Sequence, residues 1–297
     1  MPTTITNQAR LTYLYGGETG SATSNMASAV IPDVIEATKT ALAEDYRADD
    51  EITYVITVVN NCCAGDVTVT VTDDLGTFTP DGCPSPVTPL TYVGPANLYI
   101  DGIMSMALDV NDDEDNEVVF TLPALDSGSS AVIVYKAQVN EFAQLSEGST
   151  IENTATVAAT GNCAQTTEAS LVLPVAEYAD VSVIKSMSDG CGCGTGMTYT
   201  FDLYNSGNTE ATGVTLTDVF NPVPTISSIT VNGVPVATAD YTFTGGTLTL
   251  PAPSGTQLAI TVPAADITED CTGTTVVPGT TQIVVVGSLN SAGVPIR

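Results

Sequence analysis

The sequence predicts an all-β protein of two antiparallel β-sandwich domains in tandem, preceded by a separate pair of strands at the N-terminus. Three observations carry this. β-Branched and polar residues alternate in short runs, the pattern of the first half recurs in the second, and the recurrence stops before its last two strands. The runs EITYVITVV, DVTVTVTDD, SAVIVYKAQV, MTYTFDLY and GVTLTDVF each put an apolar side chain at every second position. Such alternation suits a strand with one face in a core. Gly, Pro and Asn punctuate the runs, and no long helical periodicity interrupts them.

The elements follow in order. The segment DVIEATKTALAEDYRADDEITYVITVVNN, then DVTVTVTDD, returns as DVSVIKSMSDGCGCGTGMTYTFDLYNSG, then GVTLTDV. This register matches Lys39 with Lys185, Tyr54 with Tyr199, Asn60 with Asn205 and Asp73 with Asp218. Further on, SGSSAVIVYKAQVN from Ser127 is echoed by PGTTQIVVVGSLN from Pro278. The first copy continues through GSTIENTATVAATG and TTEASLVLPV, which read as its closing strands, whereas nothing similar follows Asn290. The missing pair has a counterpart at the start of the chain. TTITNQARLTYLYGG and ATSNMASAVIP parallel the closing strands, with Ile5 opposite Ile151 and Asn7 opposite Asn153.

The expected organisation is therefore a donor-strand segment over 1–32, a complete sandwich over 33–177 and an incomplete, acceptor sandwich over 178–297. A sandwich without its last strands exposes a groove and unpaired edges, which another strand can fill. Donor and acceptor lie far apart in one chain, so the contact joins copies head to tail and propagates.

Composition narrows the functions. Six basic residues face thirty-four acidic ones, a formal charge of −28 over 297 residues that repels nucleic acid and anionic lipid. Histidine is absent, which removes the commonest general base and metal-ligating imidazole and disfavours an enzyme acting on an external substrate. No apolar stretch is long enough to cross a bilayer, and the start lacks the pattern of a secretory signal, so the expectation is either a removed signal or release by mother-cell lysis.

Seven cysteines (Cys62, Cys63, Cys83, Cys163, Cys191, Cys193 and Cys271) favour an oxidising destination and are disulfide candidates, the odd number hinting at a bond between chains. Their spacing matches no zinc site. DVNDDEDNE offers Asp109, Asn111, Asp113 and Asp115 as a weak calcium candidate, although such a run is more commonly a solvated acidic loop. GCGCGTG has no following Lys-Ser/Thr and reads as a turn. No cofactor is expected.

The Lys strand, the YxxxVxN strand, the VTxTD strand and the final NTATV strand together resemble a short conserved repeat domain, long of unknown function, of bacterial surface proteins. The resemblance spans Asp33 to Asn290 and implies an immunoglobulin-like sandwich. The order Lys, Asp, Asn is also similar to the collagen-adhesin type of domain in Gram-positive pili. That similarity implies a spontaneous isopeptide bond between lysine and asparagine, assisted by the acid.

Physical chemistry points the same way. A lysine buried between sheets tends to lose its proton and become a nucleophile, while a buried aspartic acid tends to keep its proton and can polarise an amide carbonyl. The expected sets are Lys39, Asp73 and Asn153 within the first domain, and Lys185 and Asp218 with Asn7 of another copy in the second. Asp74 is a rival acid beside Asp73.

The reading that results is a structural subunit of an extracellular bacterial fibre, with a spore surface as its expected location, whose partner is itself. An adhesive surface module that does not polymerise covalently is the alternative.

Overall fold

The computed structural model describes residues 3–31, 34–62, 66–105, 108–111, 117–161, 163–189 and 196–289. The chain is all-β, and the one helical element among the described residues is a short 3-10 turn at Thr238–Asp240. It divides into two compact units, Met1–Ala143 with Thr150–Pro174, and Gln144–Ser149 with Val175–Arg297.

The N-terminal arm is a long hairpin. Strands β1 (Thr3–Asn7), β2 (Arg10–Tyr15), β3 (Glu18–Thr23) and β4 (Ala27–Ile31) pair as β1 with β4 and β2 with β3, with the turn at Gly16 and Gly17 in the left-handed region that glycine tolerates. The ladder slips by one residue around Gln8–Ala9, where the Ala9 amide donates to Ser24 Oγ and the Ser24 amide to the Ala9 carbonyl. Large apolar side chains of the arm are out in solvent, with Ile5 51%, Leu11 63% and Leu14 76% exposed. The arm thus has strand pairing without a core.

The remainder of the first unit is a sandwich of ten strands: β5 (Ile35–Ala41), β6 (Glu51–Asn60), β7 (Thr68–Asp73), β8 (Leu90–Ile100), β9 (Ile103–Met104), β10 (Asp109–Asn111), β11 (Val118–Thr121), β12 (Ser130–Val139), β13 (Thr150–Thr160) and β14 (Gln165–Pro174). One sheet runs β5-β6-β12-β8-β9, the other β10-β11-β7-β13-β14. Both contribute alternating buried residues. Ile52, Tyr54, Ile56 and Val58 come from β6, Val69 and Val71 from β7, and Ile151, Ala155 and Val157 from β13. The Tyr135 and Phe120 rings, one from each sheet, meet at 5.2 Å across the middle. The closing strand β14 lies alongside β5 and is tied to its start by Gln165, whose Oε1 accepts from the Val34 and Ile35 amides. A disulfide between Cys62 and Cys163 joins the end of β6 to the β13–β14 turn across a Cα separation of 6.1 Å.

The second unit contains β15 (Val181–Asp189), β16 (Gly196–Asn205), β17 (Leu216–Val219), β18 (Thr225–Val231), β19 (Val234–Pro235), β20 (Thr242–Thr244), β21 (Thr247–Leu250), β22 (Asp266–Asp270), β23 (Gly273–Val277) and β24 (Gly279–Ser288). Its sheet β15-β16-β24-β18-β19 repeats the order of β5-β6-β12-β8-β9, and β17-β21-β20 repeats β7-β11-β10. What the second unit lacks, among the described residues, is any strand in the places of β13 and β14. In the first unit β7 is paired on both sides, by β11 and β13, whereas among the described residues β17 pairs with β21 alone. Tyr199, Phe201, Leu203, Phe220, Leu248, Ile283 and Val285 still form a core. The uncovered strand β15, however, leaves Val181, Val183, Ile184 and Met187 between 43% and 58% exposed. Its counterpart β5 buries Ile35 at 1%.

Residues 144–149 belong with the second unit, not the first as the sequence pattern suggests. Glu269 binds them there, its carboxylate accepting from Gln144 Nε2 and from the Leu145 and Ser146 amides, and Asn208 Nδ2 donates to the Leu145 carbonyl.

Closing a loop between positions 101 residues apart, the Cys62–Cys163 bond restricts the unfolded chain, so Cys163→Ser is expected to lower unfolding stability by about 2–4 kcal/mol, measured by urea titration. An unchanged midpoint in wild type on adding reductant would contradict this.

Candidate functional site

In the first unit the structure brings Lys39, Asp73 and Asn153 into one buried cluster between the sheets. Lys39 projects from β5, its alternation placing it on the same face as Ile35. Its Nζ lies 2.7 Å from Asp73 Oδ2, and both side chains are completely buried. Asp73 ends β7 and is fixed by the turn that follows it, where its Oδ1 accepts from the Leu75 amide. Gly76 completes that turn with φ +76°, close under Ile151 of β13. A Cβ at Gly76 would meet Ile151 Cγ2 at 2.7 Å, so the turn and β13 can approach only because a glycine stands there.

Asn153 projects inward from β13. It does not hydrogen-bond Lys39 directly. Its Nδ2 donates to Tyr135 Oη at 3.3 Å, and Tyr135 Oη donates to Asp73 Oδ2 at 2.5 Å. The cluster is thus a line: ammonium, carboxylate, phenol, amide. Asn153 Oδ1 is left without a hydrogen-bond partner among the described residues, as is the hydroxyl of Tyr54, which stacks on Tyr135 at 5.4 Å. The Asn153 amide nevertheless stands close enough to the Tyr54 and Tyr135 phenols to offset part of the upward push that burial gives them, so the asparagine faces both buried tyrosines.

Burial pulls the Lys39 pKa down, against the opposing attraction of Asp73. Burial pushes both the Tyr54 and Tyr135 phenols up. Asp74 is also raised by burial, but its carboxylate faces the turn, where Oδ1 accepts from the Gly76 and Thr154 amides. Geometry therefore favours Asp73 over Asp74 as the group that touches the lysine.

The second unit repeats the pair and opens it. Lys185 Nζ meets both carboxylate oxygens of Asp218, at 2.8 and 2.7 Å, and lies about 5 Å over the rings of Tyr199, Phe201 and Phe220. In the single chain this pair is open to water. The Lys185 side chain is 41% exposed and that of Asp218 15%, because no strand occupies the place that β13 and β14 take over Lys39. Asn7 sits at the end of β1 in the exposed arm.

Sequence reasoning missed Tyr135. A tyrosine inside SAVIVYKAQV reads as one more core residue, and the echo between Ser127 and Pro278 sets it opposite Val286. The strand ladders shift that match by one residue. Tyr135 pairs with Tyr54, and Val285 pairs with the equivalent Tyr199, so Val285 occupies the Tyr135 position. A one-residue slip exchanges the two faces of a strand, which is why the correspondence was hidden.

Of the cysteines, Cys62 and Cys163 are bonded to each other, and Cys83 and Cys271 are each in a disulfide. Cys63, Cys191 and Cys193 lie outside the described residues, as do Asp113 and Asp115 of the calcium candidate. No cluster of metal-ligating side chains occurs among the described residues, and Asp109 and Asn111 fall on the edge strand β10.

Fold and site define a tandem immunoglobulin-like β-sandwich protein with a closed Lys–Asp–Asn cluster in one unit and an open Lys–Asp pair in the other. No protein-family model matches the sequence, and no relative was found among characterised proteins. Among solved structures the chain is similar to BcpA, the major pilin subunit of Bacillus cereus, at 14% identity over 87% of this chain and 67% of that one, with a TM-score of 0.37. It is similar to the full-length major pilin SpaD of Corynebacterium diphtheriae at 15% identity over 57% and 42%, with a TM-score of 0.37. For the pilus backbone RrgB of Streptococcus pneumoniae the identity is 12% over 83% and 55%, with a TM-score of 0.33. Likenesses this remote carry no inference about function.

Asp73→Ala strands a buried lysine and is expected to destabilise the chain by about 3–5 kcal/mol, against less than about 1 kcal/mol for Asp218→Ala in monomeric chains, compared by urea unfolding. Similar losses in both would refute the burial argument.

A pH dependence also follows. In Asn153→Ala, which lacks the neighbouring amide, the folded state holds the Lys39 proton less tightly than the unfolded state, whose lysine titrates near 10.5. Stability therefore rises with pH from the lowered Lys39 value up to 10.5. The raised Tyr54 and Tyr135 act in the opposite sense above their ordinary 10.0, where only the unfolded chain gives up phenolic protons. Adding Lys39→Met should abolish the rise and keep the fall.

Proposed function

We propose that this chain is the repeating subunit of an extracellular bacterial fibre, assembled head to tail by strand donation and locked by Lys–Asn isopeptide bonds. One observation carries the reading. Apart from its extra hairpin β22–β23, the second unit repeats the strand order of the first without strands in the places of β13 and β14, and the arm is a hairpin carrying the sequence pattern of those two strands.

In the first unit Ala155 pairs with Asp73, and Asn153 lies two residues away on the same face. Transferring that register to another copy's arm puts Ala9 opposite Asp218 and Asn7 beside Lys185. Ile5 and Leu11 would then take the positions of Ile151 and Val157, both of which are buried in the first unit. Insertion would cover the exposed apolar row on β15 and give β17 a second neighbour. It would also withdraw Lys185 and Asp218 from water, reproducing the environment that lowers the Lys39 pKa.

The chemistry needs no external enzyme. A neutral lysine amine attacks the asparagine carboxamide carbon, an amide forms, and ammonia departs. Aligned groups reach effective molarities on the order of 10⁵ M or more, enough to make an unassisted reaction practical. In the first unit the bond would join Lys39 to Asn153 within the chain, with Asp73 as the acid. In the second it would join Lys185 to Asn7 of the neighbour, with Asp218 as the acid. Disulfides suit an oxidising exterior, and a spore surface is the location we favour.

Denaturing electrophoresis and intact mass under reducing conditions test this. Wild type should give a ladder of covalent polymers, each bond lighter by about 17 Da, the mass of ammonia, while Asn7→Ala and Lys185→Ala run as monomers. Monomer in every sample with no mass deficit would remove the covalent reading. Filaments seen by electron microscopy in those same samples would leave strand donation alone.

A further inference from the structure

The first unit holds a phenol at the centre of its cluster that the proposed bond-forming groups do not account for. Tyr135 Oη is within hydrogen-bond distance of both Asp73 Oδ2 and Asn153 Nδ2, at 2.5 and 3.3 Å. Nδ2 is the atom that must leave. A carboxamide nitrogen departs only when it has gained a proton, because the amide anion is too basic a leaving group in a buried site. In the proposed reaction Asp73 receives the proton of the lysine, yet its carboxylate is hydrogen-bonded to Lys39, the Leu75 amide and Tyr135, and among the described residues it has no hydrogen bond to Asn153.

Resting on the Lys–Asn reading above, we propose that Tyr135 is the proton relay to the leaving nitrogen. The Lys39 ammonium first gives a proton to Asp73, leaving a neutral amine and a neutral acid. The amine attacks Asn153 Cγ, and the new C–N bond forms. As Nδ2 turns tetrahedral its lone pair becomes basic, and its hydrogen bond with Tyr135 reverses. Tyr135 gives its proton to Nδ2 and takes the one held by Asp73. The Cγ–Nδ2 bond breaks and ammonia leaves. The Lys39 nitrogen passes one further proton to the Asp73 carboxylate, so a neutral amide, ammonia and a protonated Asp73 remain, and all protons are accounted for.

The raised pKa of Tyr135 keeps the phenol protonated throughout the neutral range, so it is loaded before reaction. Its ring is clamped between Tyr54 at 5.4 Å and Phe120 at 5.2 Å, which fixes the hydroxyl on the line between the two partners. Among the described residues, no phenol stands at this place in the second unit. Val285 stands at the equivalent ladder position, and Phe220 packs on Tyr199 at 4.8 Å. The two sites therefore differ in their route for the leaving-group proton even though their lysine and acid correspond.

The test follows the full chain by time-resolved intact mass during cell-free synthesis, with Lys185→Ala as background so that every loss of ammonia reports the first unit. Tyr135→Phe keeps the ring and removes the hydroxyl, and should slow the loss at least tenfold. A fluorinated tyrosine at 135, similar in shape but with a more acidic phenol, should restore the reaction at a rate different from wild type. A purely structural hydroxyl would not be sensitive to acidity. Loss of ammonia in Tyr135→Phe at the background rate, or a fluorotyrosine chain reacting at a rate identical to tyrosine, would overturn the relay and leave the Lys–Asn bond standing. No loss of ammonia in the Lys185→Ala background itself would overturn the bond and the relay together.

Discussion

A lysine and an aspartate whose side chains are completely buried set the terms for this protein. Removing each charge from water costs several kcal/mol, which the pair recovers only if its geometry is held and every other lone pair is met. The first unit meets that condition with strands on both sides. β5 presents the lysine, β7 and its turn present the acid, and β13 and β14 close the face above them. Take the closing strands away, as the second unit does, and the same two residue types at the same repeat positions become a half-exposed ion pair on an uncovered sheet. The contrast is internal to one chain, so solvent, partner and temperature are common to both sites.

Much of this was legible beforehand because the repeat aligned the charged residues. Three lysines occur in the chain, and two of them fall on equivalent positions, which makes Lys39 and Lys185 conspicuous against a sparse basic background. The alternation in β6, β7, β12, β13 and β16 is regular enough to be read directly, since each strand has one face in a core. Other features were hidden for physical reasons. Tyr135 looks like packing until the ladder register shows which face it shares. The Cys62–Cys163 bond depends on which turns meet, and spacing alone does not encode that. The allegiance of residues 144–149 rests on Glu269, more than a hundred residues away in sequence, and on Asn208.

Unpaired strand edges usually call for protection by charge, bulge or covering, because they recruit other strands indiscriminately. The arm and the second unit keep theirs uncovered, with exposed apolar side chains on both. The two surfaces are chemically alike, each a strand edge flanked by aliphatic groups, and each has a template of its completed form in the first unit. A chain built this way carries an internal reference for what its open edge should look like when filled.

The placement of the lysines and asparagines has a mechanical meaning. Lys39 lies near the start of its unit and Asn153 near its end. With the proposed bonds in place, tension entering at Asn7 would travel along residues 7–39, cross directly to Asn153, run along residues 153–185 and leave through Lys185 into the next copy. The long stretches from 40 to 152 and beyond 185, which hold most of both sandwiches, would sit outside the loaded path. Such a thread would bear load through covalent bonds alone, and its folded bodies could keep their shape without having to resist extension.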